Sequence, residues 1–503
     1  MSRGSVAYAA VDLGGSSGRV IVGRLEHRRL LTEETGRFAN TPVLVMQGGR
    51  QVLQWDVLAL WAGVRAGLRA AGRLGPVASV GIDTWAVDYG LLDVDGALLG
   101  NPVHYRDDRT AGVPERFFAR MATGAHYAIT GAQVQPFNTV FQLVAAAGSV
   151  RLGAAARLLL MPDLLGHWLT GAVVTEVTNA STTGLLDAAT RRWSEPVLAA
   201  AGDLAGRDLS RLLAPLVEPG TAVADLHHDV AAELGLAGTR LVAVGSHDTA
   251  SAVVSVPMAD PTTSAYISSG TWSLVGLELE APVLSEASRV ANVTNELGVA
   301  GTVRYLRNVA GLWLLSESLR TWREQDRDAD LSDLLAAAAD VPALRTVIDV
   351  DDPVLAPPGD MPARIAGLAR ASGQPVPTDQ AAVVRCVLDS LALAYRRAVR
   401  TVAGLAGRSV DVVHVVGGGA RNALLCRLTA DATSLPVVAG PAEGTAIGNL
   451  LVQAWAAGEL PGGLPAIREV VAASTKLTRW EPTGDDRAWD QAETRLRDTA
   501  ALT

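Results

Sequence analysis

The sequence predicts an α/β protein composed of two domains with related architectures. Its 503 residues are too many for one hydrophobic core, and 49% hydrophobic with 19% charged residues suits a well-packed globular protein. Strand-like apolar runs alternate along the chain with helix-like periodic segments, as they do in α/β folds. The pattern that opens the chain returns about halfway along it. Length, alternation and repetition together predict this fold class.

The repeated pattern joins residues 7–26, AYAAVDLGGSSGRVIVGRLE, with residues 265–280, AYISSGTWSLVGLELE. Both begin with Ala-Tyr, enter a turn rich in Gly, Ser or Thr, and leave through Val-Gly and Leu-Glu. The repeat predicts that each domain begins with a β-hairpin whose turn offers many N–H donors. The alternative is a chance similarity between two amphipathic hairpins.

Further elements follow in order from their periodicity. Residues 55–75 place Val57, Leu60 and Val64 on one helical stripe, with Asp56 as a plausible N-cap. Residues 78–100 predict a strand, a polar interruption and a hairpin that turns at Asp95-Gly96. The later pattern predicts helix 381–406, strand 410–416, helix 420–433, strand 435–440 and helix 445–458, with a loop at 351–362.

Charge and apolar patterning exclude several classes of partner. A net charge of −9 argues against nucleic acid and against anionic membranes, because both require basic surface. Residues 1–6 lack the layout of a signal peptide, and no uncharged apolar run reaches the ~18 residues of a membrane span. Cys386 and Cys426 have no spacing that suggests a metal site or a disulfide. We therefore expect a cytoplasmic protein.

Lysine is almost absent, since Lys476 is the only one in the chain. A P-loop requires GxxxxGK[ST] and a protein kinase requires a strand lysine, so both classes are excluded. Schiff-base chemistry is left with Lys476 alone, which lies in no pocket-like motif. Any phosphate must be held by backbone N–H groups, hydroxyls, arginine or a metal ion.

Three turns rich in glycine or hydroxyl side chains follow apolar strands, at 14–18, 268–271 and 417–419. Glycine lets a backbone approach a ligand closely, and successive turn amides form an anion-binding nest. Three such turns in a chain with one lysine suggest a nucleotide triphosphate held mainly by backbone. The alternative is that the glycines only satisfy tight turn geometry.

Carboxylates stand at strand ends or just beyond them, namely Asp12, Asp83, Asp88 and Asp248. Carboxylates that converge on a phosphate site hold Mg²⁺ through oxygen ligands or water, and Asp12 is placed to do so. Asp83 and Asp88 flank Trp85 and look better suited to the hydroxyls of a polyol. The alternative for each is a turn or a helix cap.

Longer motifs are spread over nearly the whole chain, namely VDLGGSSGRV, GIDTWAVDYGLLD, YRDDRT, PFNTVFQL, LMPDLLGHWLTG, TNASTTGLLD, SHDTASAV, YISSGTWSLVG, NVTNELG and HVVGGGARN. In these motifs the chain resembles the FGGY carbohydrate kinase family. The resemblance implies two actin-like (RNase H-like) domains with ATP and sugar in the cleft between them. It implies a sugar-binding domain at 1–245 and a nucleotide-binding domain at 246–503.

The same resemblance implies transfer of the γ-phosphoryl group of ATP, with Mg²⁺, to the 1-hydroxyl of L-rhamnulose. Asp248 falls on the family's catalytic base. The positions that match sugar contacts are Asp83, Trp85, Ala86, His247, Asp248, Thr249 and Asn308. Those that match nucleotide contacts are Gly15, Ser16, Ser17, Gly18, Arg19, Thr271, Ser316 and Gly418.

Two of these positions depart from the family pattern. Ala86 stands where a glycine that contacts the sugar is frequent, and Ser316 stands where a glutamine near ATP is common. Other hypotheses are a kinase for L-fuculose, L-ribulose or L-xylulose, and an actin-like ATPase or sugar sensor without transfer activity. Asp248 favours a transfer reaction, because a sensor does not need a carboxylate at that place.

Overall fold

The computed structural model describes residues 6–328, 330–484 and 486–500. They form two compact units that alternate along the chain. Unit 1 comprises Met1–Ala259, Glu278–Tyr305 and Gly444–Thr475, and unit 2 comprises Asp260–Leu277, Leu306–Glu443 and Lys476–Thr503. Each unit contains a sheet with helices against it. The boundary at residue 245, with sugar assigned to one side and nucleotide to the other, stays a prediction.

The strands are β1 Ala7–Leu13, β2 Ser17–Glu26, β3 Arg29–Ala39, β4 Val43–Gln47, β5 Arg50–Gln54, β6 Val77–Thr84, β7 Tyr89–Leu92, β8 Arg157–Leu160, β9 Thr175–Glu176, β10 Leu186–Asp187, β11 Arg192–Trp193, β12 Leu216–Val217, β13 Ala222–Asp225, β14 Arg240–Val242, β15 Ser264–Ser269, β16 Trp272–Leu279, β17 Thr294–Leu297, β18 Val303–Ala310, β19 Val412–Val416, β20 Val437–Ala439 and β21 Thr478–Trp480.

The helices are α1 Val57–Arg73, α2 Val113–Arg120, α3 Thr123–Thr130, α4 Thr139–Ala145, α5 Val150–Ala154, α6 Met161–Thr170, α7 Val177–Ala180, α8 Glu195–Ala205, α9 His228–Leu234, α10 Asp248–Val254, α11 Glu286–Val290, α12 Trp313–Glu324, α13 Leu331–Asp340, α14 Met361–Ala371, α15 Gln380–Ala406, α16 Ala423–Thr433, α17 Gly444–Ala456, α18 Leu464–Ser474 and α19 Asp486–Ala500.

The sheet of unit 1 has the strand order β13-β14-β6-β1-β2-β3. Its central strand β1 is buried along its whole length, antiparallel to β2 and parallel to β6. Helix α1 covers one face with the apolar stripe that the sequence predicts, since Val57, Leu60 and Val64 are buried. The Asp56 side chain accepts a hydrogen bond from the backbone N–H of Ala59 at 3.1 Å, so the predicted N-cap is confirmed.

The second sheet has the order β17-β18-β16-β15-β19-β20-β21, and in unit 2 its strand β15 is antiparallel to β16 and parallel to β19. This is the relation that β1 has to β2 and β6. The register repeats as well, because Tyr8 pairs with Gly23 and Tyr266 pairs with Gly276. The predicted internal repeat is therefore confirmed at the level of cross-strand pairs.

The remaining predicted elements agree with the structure to within a few residues. The helix predicted at 381–406 is α15, and the strand at 410–416 is β19. The helix predicted at 420–433 begins with a short 3₁₀ turn at Gly418–Arg421 and continues as α16. Cys386 and Cys426 are buried and form no disulfide. Within the ranges given above, no helix combines the length and apolarity needed to cross a bilayer.

Candidate active site

Two carboxylates face each other where β1 and β6 end. Asp12 and Asp83 are Cα partners in the parallel register, and both side chains are buried. The Arg19 guanidinium Nε lies 2.9 Å from Asp12 Oδ2, because Arg19 is the antiparallel partner of Asp12 on β2. Parallel strands bring their carboxyl ends to one edge of a sheet, which explains the pairing. One cation and two carboxylates therefore meet beside the first glycine turn.

Burial and mutual repulsion disturb both carboxyl groups. Burial, reinforced by the neighbouring Asp12, raises the pKa of Asp83 well above its usual range. Burial also raises the pKa of Asp12, although Arg19 opposes the rise. Asp83 Oδ1 is buried without a hydrogen-bond partner among the described residues. Such a pair is suited to a proton or a cation, whereas the sequence predicts that Asp83 binds sugar hydroxyls.

Helix α17 supplies the support for Asp83. Asn449 Nδ2 donates to Asp83 Oδ2 at 2.6 Å, and Gln453 Nε2 donates to Asn449 Oδ1 at 2.7 Å. The amide of Gln453 also bonds β1 and β6, donating to the Ala9 carbonyl at 3.0 Å and accepting from the Ser79 hydroxyl at 2.6 Å. Sequence reasoning missed Asn449 and Gln453. Their spacing of four on an apolar helix is the signal that could have found them.

Asp248 is the first residue of α10, after β14 and a short connection. Its side chain is 30% exposed, which contrasts with the fully buried Asp83. His247 Nε2 lies 3.4 Å from Asp248 Oδ1, and the Thr249 hydroxyl donates to the same oxygen at 3.2 Å. Burial raises the pKa of Asp248, while the neighbouring His247 and Arg304 oppose the rise. A partly exposed carboxylate with a raised pKa suits a general base.

The residues before Asp248 are held by a buried carboxylate that sequence reasoning missed. Glu176 accepts from the backbone N–H and the hydroxyl of Ser246 at 3.0 and 2.6 Å, and from those of Thr178 at 2.8 and 2.6 Å. Ser246 in turn offers its carbonyl to the backbone N–H of Thr84 at 2.9 Å. This network joins the start of α10 to the end of β6, so Asp248 has a defined place.

A buried ionic cluster lies on the other side of His247. His247, Glu296 and Arg304 are 6%, 5% and 1% exposed. Arg304 Nη2 lies 3.1 Å from His247 Nδ1, and Arg304 Nη1 lies 3.0 Å from Glu296 Oε2. Glu296 Oε2 is itself 3.2 Å from His247 Nδ1. Glu296 belongs to the NVTNELG motif, but its role and that of Arg304 could not be derived from the sequence.

Trp85 packs at a tilted angle against Trp55, and Asp88 forms hydrogen bonds with both rings. The ring centroids of Trp85 and Trp55 are 4.0 Å apart, and Asp88 Oδ2 accepts from both indole nitrogens, at 3.1 Å from Trp85 and 2.6 Å from Trp55. Gln142 donates to Asp88 Oδ1 at 2.9 Å. Burial nevertheless raises the pKa of Asp88 to about 6. Asp88 thus holds protein groups together, which corrects the interpretation that it binds polyol hydroxyls.

The backbone beside Trp85 is strained. Val87 has a φ of 67°, a conformation that β-branched residues rarely adopt. Its carbonyl accepts from the Thr139 hydroxyl at 2.7 Å and from Gln142 at 3.3 Å, and these bonds hold the conformation in place. Ala86, just before it, is half-buried. The segment predicted to contact a sugar is therefore rigidly shaped.

In the first glycine turn, one glycine is required by packing and another borders open space. A Cβ on Gly18 would overlap the Phe38 and Leu13 side chains, whereas a Cβ on Gly15 would meet nothing within 4 Å. Asn40 braces the turn by donating to the Gly14 carbonyl at 2.8 Å. Ser16 is exposed, and Ser17 and Arg19 are half-buried. The backbone at Gly15 is therefore open to a ligand, while Gly18 serves packing.

Unit 2 holds the other residues predicted to bind nucleotide. Thr271 lies in the turn between β15 and β16, and its carbonyl accepts from the Trp313 N–H at 3.2 Å. Ser316 is exposed on α12. Gly418 is exposed and a Cβ there would meet nothing within 4 Å, whereas one on Gly417 or Gly419 would collide with Ser269.

The structure thus groups the predicted residues by unit. Asp12, Asp83 and Asp248 lie close enough together in unit 1 that the charge of Asp248 raises the pKa of both other carboxyls. His247, Thr249, Trp85 and Ala86 belong to the same unit. Asn308, predicted to bind sugar, lies half-buried on β18 in unit 2 with Thr271, Ser316 and Gly418. Among the described side chains, no three of His, Cys, Asp and Glu form a complete metal site.

Comparison with known proteins identifies the class to which this fold and site belong. Residues 7–255 match the N-terminal domain of the FGGY family of carbohydrate kinases, and residues 265–457 match its C-terminal domain. The chain belongs to this family. It is a carbohydrate kinase, and a sugar and ATP are its substrates.

Its curated relatives include proteins named rhamnulokinase. The chain is 42% identical over 488 residues to the rhamnulokinase of Bacteroides thetaiotaomicron, covering 96% of this chain and 97% of that one. It is 42% identical to the rhamnulokinase of Enterococcus faecalis over 472 residues, covering 93% and 92%.

Solved structures with little sequence identity share the fold. The ligand-bound xylulose kinase from Lactobacillus acidophilus aligns with a TM-score of 0.76 at 15% identity, over 99% of this chain and 97% of that one. The Plasmodium falciparum glycerol kinase with ADP aligns with a TM-score of 0.75 at 14% identity, over 99% and 98%. The predicted actin-like α/β fold is confirmed.

Proposed function

We propose that this chain phosphorylates L-rhamnulose at its 1-hydroxyl with ATP, in rhamnose catabolism. The observation that carries the reaction class is Asp248, a partly exposed carboxylate at the start of α10 that is flanked by buried polar networks. The sugar is inferred from the 40–42% identity to proteins named rhamnulokinase. The cytoplasm, where ATP is abundant, is the proposed location.

Asp248 acts in this proposal as the general base. It accepts the proton of the 1-hydroxyl while that oxygen forms a bond to the γ-phosphorus of ATP. The bond between the γ-phosphorus and the bridging oxygen breaks, and ADP leaves with the electron pair. A carboxylate with a raised pKa accepts a proton more readily than an ordinary one, which suits this step.

Asp12 and Asp83 fit Mg²⁺ in the mode that nucleotide enzymes use, in which one or two carboxylates and substrate phosphates hold the ion. Three features support the fit: the repulsion between the two carboxyls, the unpartnered Asp83 Oδ1, and the adjacent open turn at Gly15. The ion, when bound, neutralises charge on the phosphates. Asp12 is the ligand that we propose, and Arg19 keeps it oriented.

In this proposal, backbone N–H groups, hydroxyls and one arginine bind the phosphates of ATP without any lysine. The donors are the turn at Gly15, Ser16, Ser17 and Gly18, the Arg19 side chain, and Thr271, Ser316 and Gly418 of unit 2. Among these residues, Gly418 has the strongest support for a contact with the nucleotide. Packing requires glycine at Gly417 and Gly419 but not at the exposed Gly418, so close approach of a ligand is the remaining reason for it.

Thr249 and Asn308 would bind the sugar hydroxyls, and His247, whose ring nitrogens face Arg304 and Asp248, would line the sugar pocket together with Trp85 and Ala86. The methyl of Ala86 narrows the sugar pocket relative to glycine, and the hydrogen bonds from Thr139 and Gln142 to the Val87 carbonyl hold this segment in place. A site that pairs buried hydroxyls rejects an epimer, since an unpaired polar group costs about 1–3 kcal/mol. Kinases for L-fuculose, L-ribulose or L-xylulose are therefore alternatives that a substrate panel separates.

The test measures ADP release with L-rhamnulose, L-fuculose, L-ribulose and L-xylulose at equal ATP and Mg²⁺, with ¹³C NMR of the product to locate the phosphate. We expect the highest kcat/KM for L-rhamnulose and phosphate on C1. A tenfold preference for another ketose, about 1.4 kcal/mol in transition-state binding, would replace L-rhamnulose with that sugar.

The same assay without sugar tests the hypothesis of an actin-like ATPase or sensor. We expect ATP turnover to rise many-fold on sugar addition and to require Asp248. Turnover that ignores every sugar, and that survives Asp248→Asn, would favour the ATPase.

A further inference from the structure

The cluster beside the base contains more charge than sugar binding requires. Arg304 is 1% exposed, so its guanidinium cannot reach bulk solvent, and its Nε donates to the Leu297 carbonyl at 3.1 Å. Burying an arginine is unfavourable unless a counter-charge and hydrogen bonds compensate for its lost hydration. Glu296 supplies the counter-charge, and Arg304 lowers its pKa although burial opposes this. We therefore ask what these buried charges do for the neighbouring base.

The contacts of Arg304 decide where the proton of His247 resides. A guanidinium has only N–H donors, so His247 Nδ1 must accept when Arg304 Nη2 bonds it at 3.1 Å. A neutral imidazole whose Nδ1 accepts carries its hydrogen on Nε2. Nε2 is the atom that faces Asp248 Oδ1 at 3.4 Å. The buried arginine therefore selects the tautomer that can donate to the base.

We propose that Arg304, held by its ion pair with Glu296, is a positioning residue that keeps His247 as the Nε2–H tautomer, so that this N–H orients the carboxylate of Asp248. The Nε2–H of His247 then points at Oδ1 across 3.4 Å, and the Thr249 hydroxyl donates to the same oxygen at 3.2 Å, which leaves Oδ2 to accept the proton of the sugar hydroxyl. The opposite tautomer would turn a nitrogen lone pair toward Oδ1 and rotate the carboxylate away. This inference rests on the proposed role of Asp248 as the base.

The position of Glu296 predicts which tautomer His247 adopts when Arg304 is removed. Its Oε2 lies 3.2 Å from His247 Nδ1, close enough to accept a hydrogen from that nitrogen. While Arg304 occupies Nδ1, this bond cannot form in neutral His247. Without Arg304, Glu296 is the remaining partner and favours a hydrogen on Nδ1. Arg304→Gln should therefore reverse the tautomer rather than merely loosen the ring.

The direct test is ¹⁵N NMR of the full chain with labelled histidine, which distinguishes the two tautomers of each neutral imidazole. The chain has eight histidines, and the signal of His247 is the one absent from His247→Gln. We expect Nε2–H in the wild type and Nδ1–H in Arg304→Gln. An Nδ1–H signal in the wild type, or the same tautomer in both proteins, would overturn the proposal. This test needs no turnover.

A kinetic double-mutant cycle tests whether Arg304 acts through His247. Arg304→Gln should lower kcat about 30-fold and leave the KM for ATP within about twofold, because orientation of the base affects the chemical step. In a His247→Ala background the same change should cost less than about threefold. Full additivity of the two losses would overturn the proposal.

Two further variants at His247 distinguish the effect of the donor position from the effect of losing the ring. The amide nitrogen of glutamine can occupy the place of Nε2, and that of asparagine the place of Nδ1. His247→Gln should therefore retain at least about a third of kcat, while His247→Asn should lose more than about tenfold. Equal losses would contradict a donor at Nε2.

Arg468→Gln is the matched control for loss of a buried arginine. Arg468 lies in unit 1 and, like Arg304, is a buried arginine paired with a glutamate. Its Nη2 lies 2.8 Å from both carboxylate oxygens of Glu278. We expect a lower melting temperature with unchanged kcat per folded molecule. An equal kcat loss in both variants would reduce Arg304 to a structural role. If the wild type phosphorylates no ketose, the proposed function fails, and the tautomer experiment still judges this inference.

Discussion

The hairpin β1–β2 of unit 1 and the hairpin β15–β16 of unit 2 share their register but differ in the chemistry of their turns. Tyr8 opposes Gly23 in one, and Tyr266 opposes Gly276 in the other. Beyond this common pair, the first hairpin is longer and ends in the partly buried ion pair of Asp12 and Arg19. The second is shorter and carries only hydroxyls and backbone at its turn.

The difference indicates a division of labour on a repeated scaffold. A longer hairpin brings a carboxylate beside those at the end of β6 and the start of α10, so charge-dependent chemistry concentrates in unit 1. Unit 2 offers neutral donors and an open glycine, which suit close contact with a nucleotide. Changes in unit 1 should therefore lower kcat or alter metal dependence, and changes in unit 2 should raise the KM for ATP.

The largest expected effect is that of Asp248→Asn, which keeps the shape of the base and removes its basicity. We expect kcat to fall by about 10²–10⁴, or roughly 3–5 kcal/mol, with little change in the KM for ATP. Steady-state kinetics with L-rhamnulose measures this loss, and thermal unfolding checks that the variant folds. Retention of more than about a tenth of the wild-type kcat would mean that Asp248 is not the base.

Asp12→Asn should produce the next largest change, because it removes the proposed magnesium ligand. We expect kcat to fall about 10–100-fold and the Mg²⁺ concentration for half-maximal rate to rise about tenfold. Ser268→Ala, in the other hairpin, is the control and should leave the Mg²⁺ requirement unchanged. An unaltered requirement in Asp12→Asn would remove Asp12 from the metal site.

The pH dependence of the wild type should show the raised pKa of Asp248. Because a base must be ionised, kcat/KM for the sugar should fall as the pH drops through that pKa, by about tenfold per pH unit below it. Burial raises the pKa, so the fall should begin at a higher pH than the ordinary value of 3.8 implies. Circular dichroism at each pH excludes unfolding. Constant activity down to about pH 4 would contradict this prediction.

A smaller effect is expected at Gly418, where a side chain has room in the protein but not beside a ligand. Gly418→Val should raise the KM for ATP about tenfold and leave the melting temperature almost unchanged. Gly419→Val is the contrast, since its side chain would overlap Ser269 and should lower stability. Unchanged nucleotide affinity in Gly418→Val would show that this glycine does not face ATP.

The smallest effect is expected at the only lysine. Lys476 is exposed, and Lys476→Ala should change neither kcat nor the KM for ATP by more than about twofold. The reason is that turn amides, hydroxyls and arginine bind the phosphates in our proposal. A tenfold rise in the KM for ATP would mean that Lys476 contributes to phosphate binding, contrary to our proposal that backbone and hydroxyl donors suffice.

Local patterns made part of this structure predictable. The hairpins, helix α1 with its Asp56 cap, and the carboxylates at strand ends follow from short-range signals in the sequence. The chemistry of Asp88 was not predictable, because Trp55 and Gln142, which saturate it, lie far from it along the chain. The same holds for Glu176 beneath Ser246.

By itself, the sequence determined the α/β class, the repeated hairpin and the presence of a carboxylate at residue 248, since alternation, turn residues and apolar runs act over a few positions. The tertiary structure alone decided which side chains support that carboxylate. Asn449 reaches Asp83 across 366 positions of chain, and Arg304 reaches His247 across 57. Buried polar groups must find partners wherever the fold brings donors and acceptors together, and no local pattern encodes that meeting.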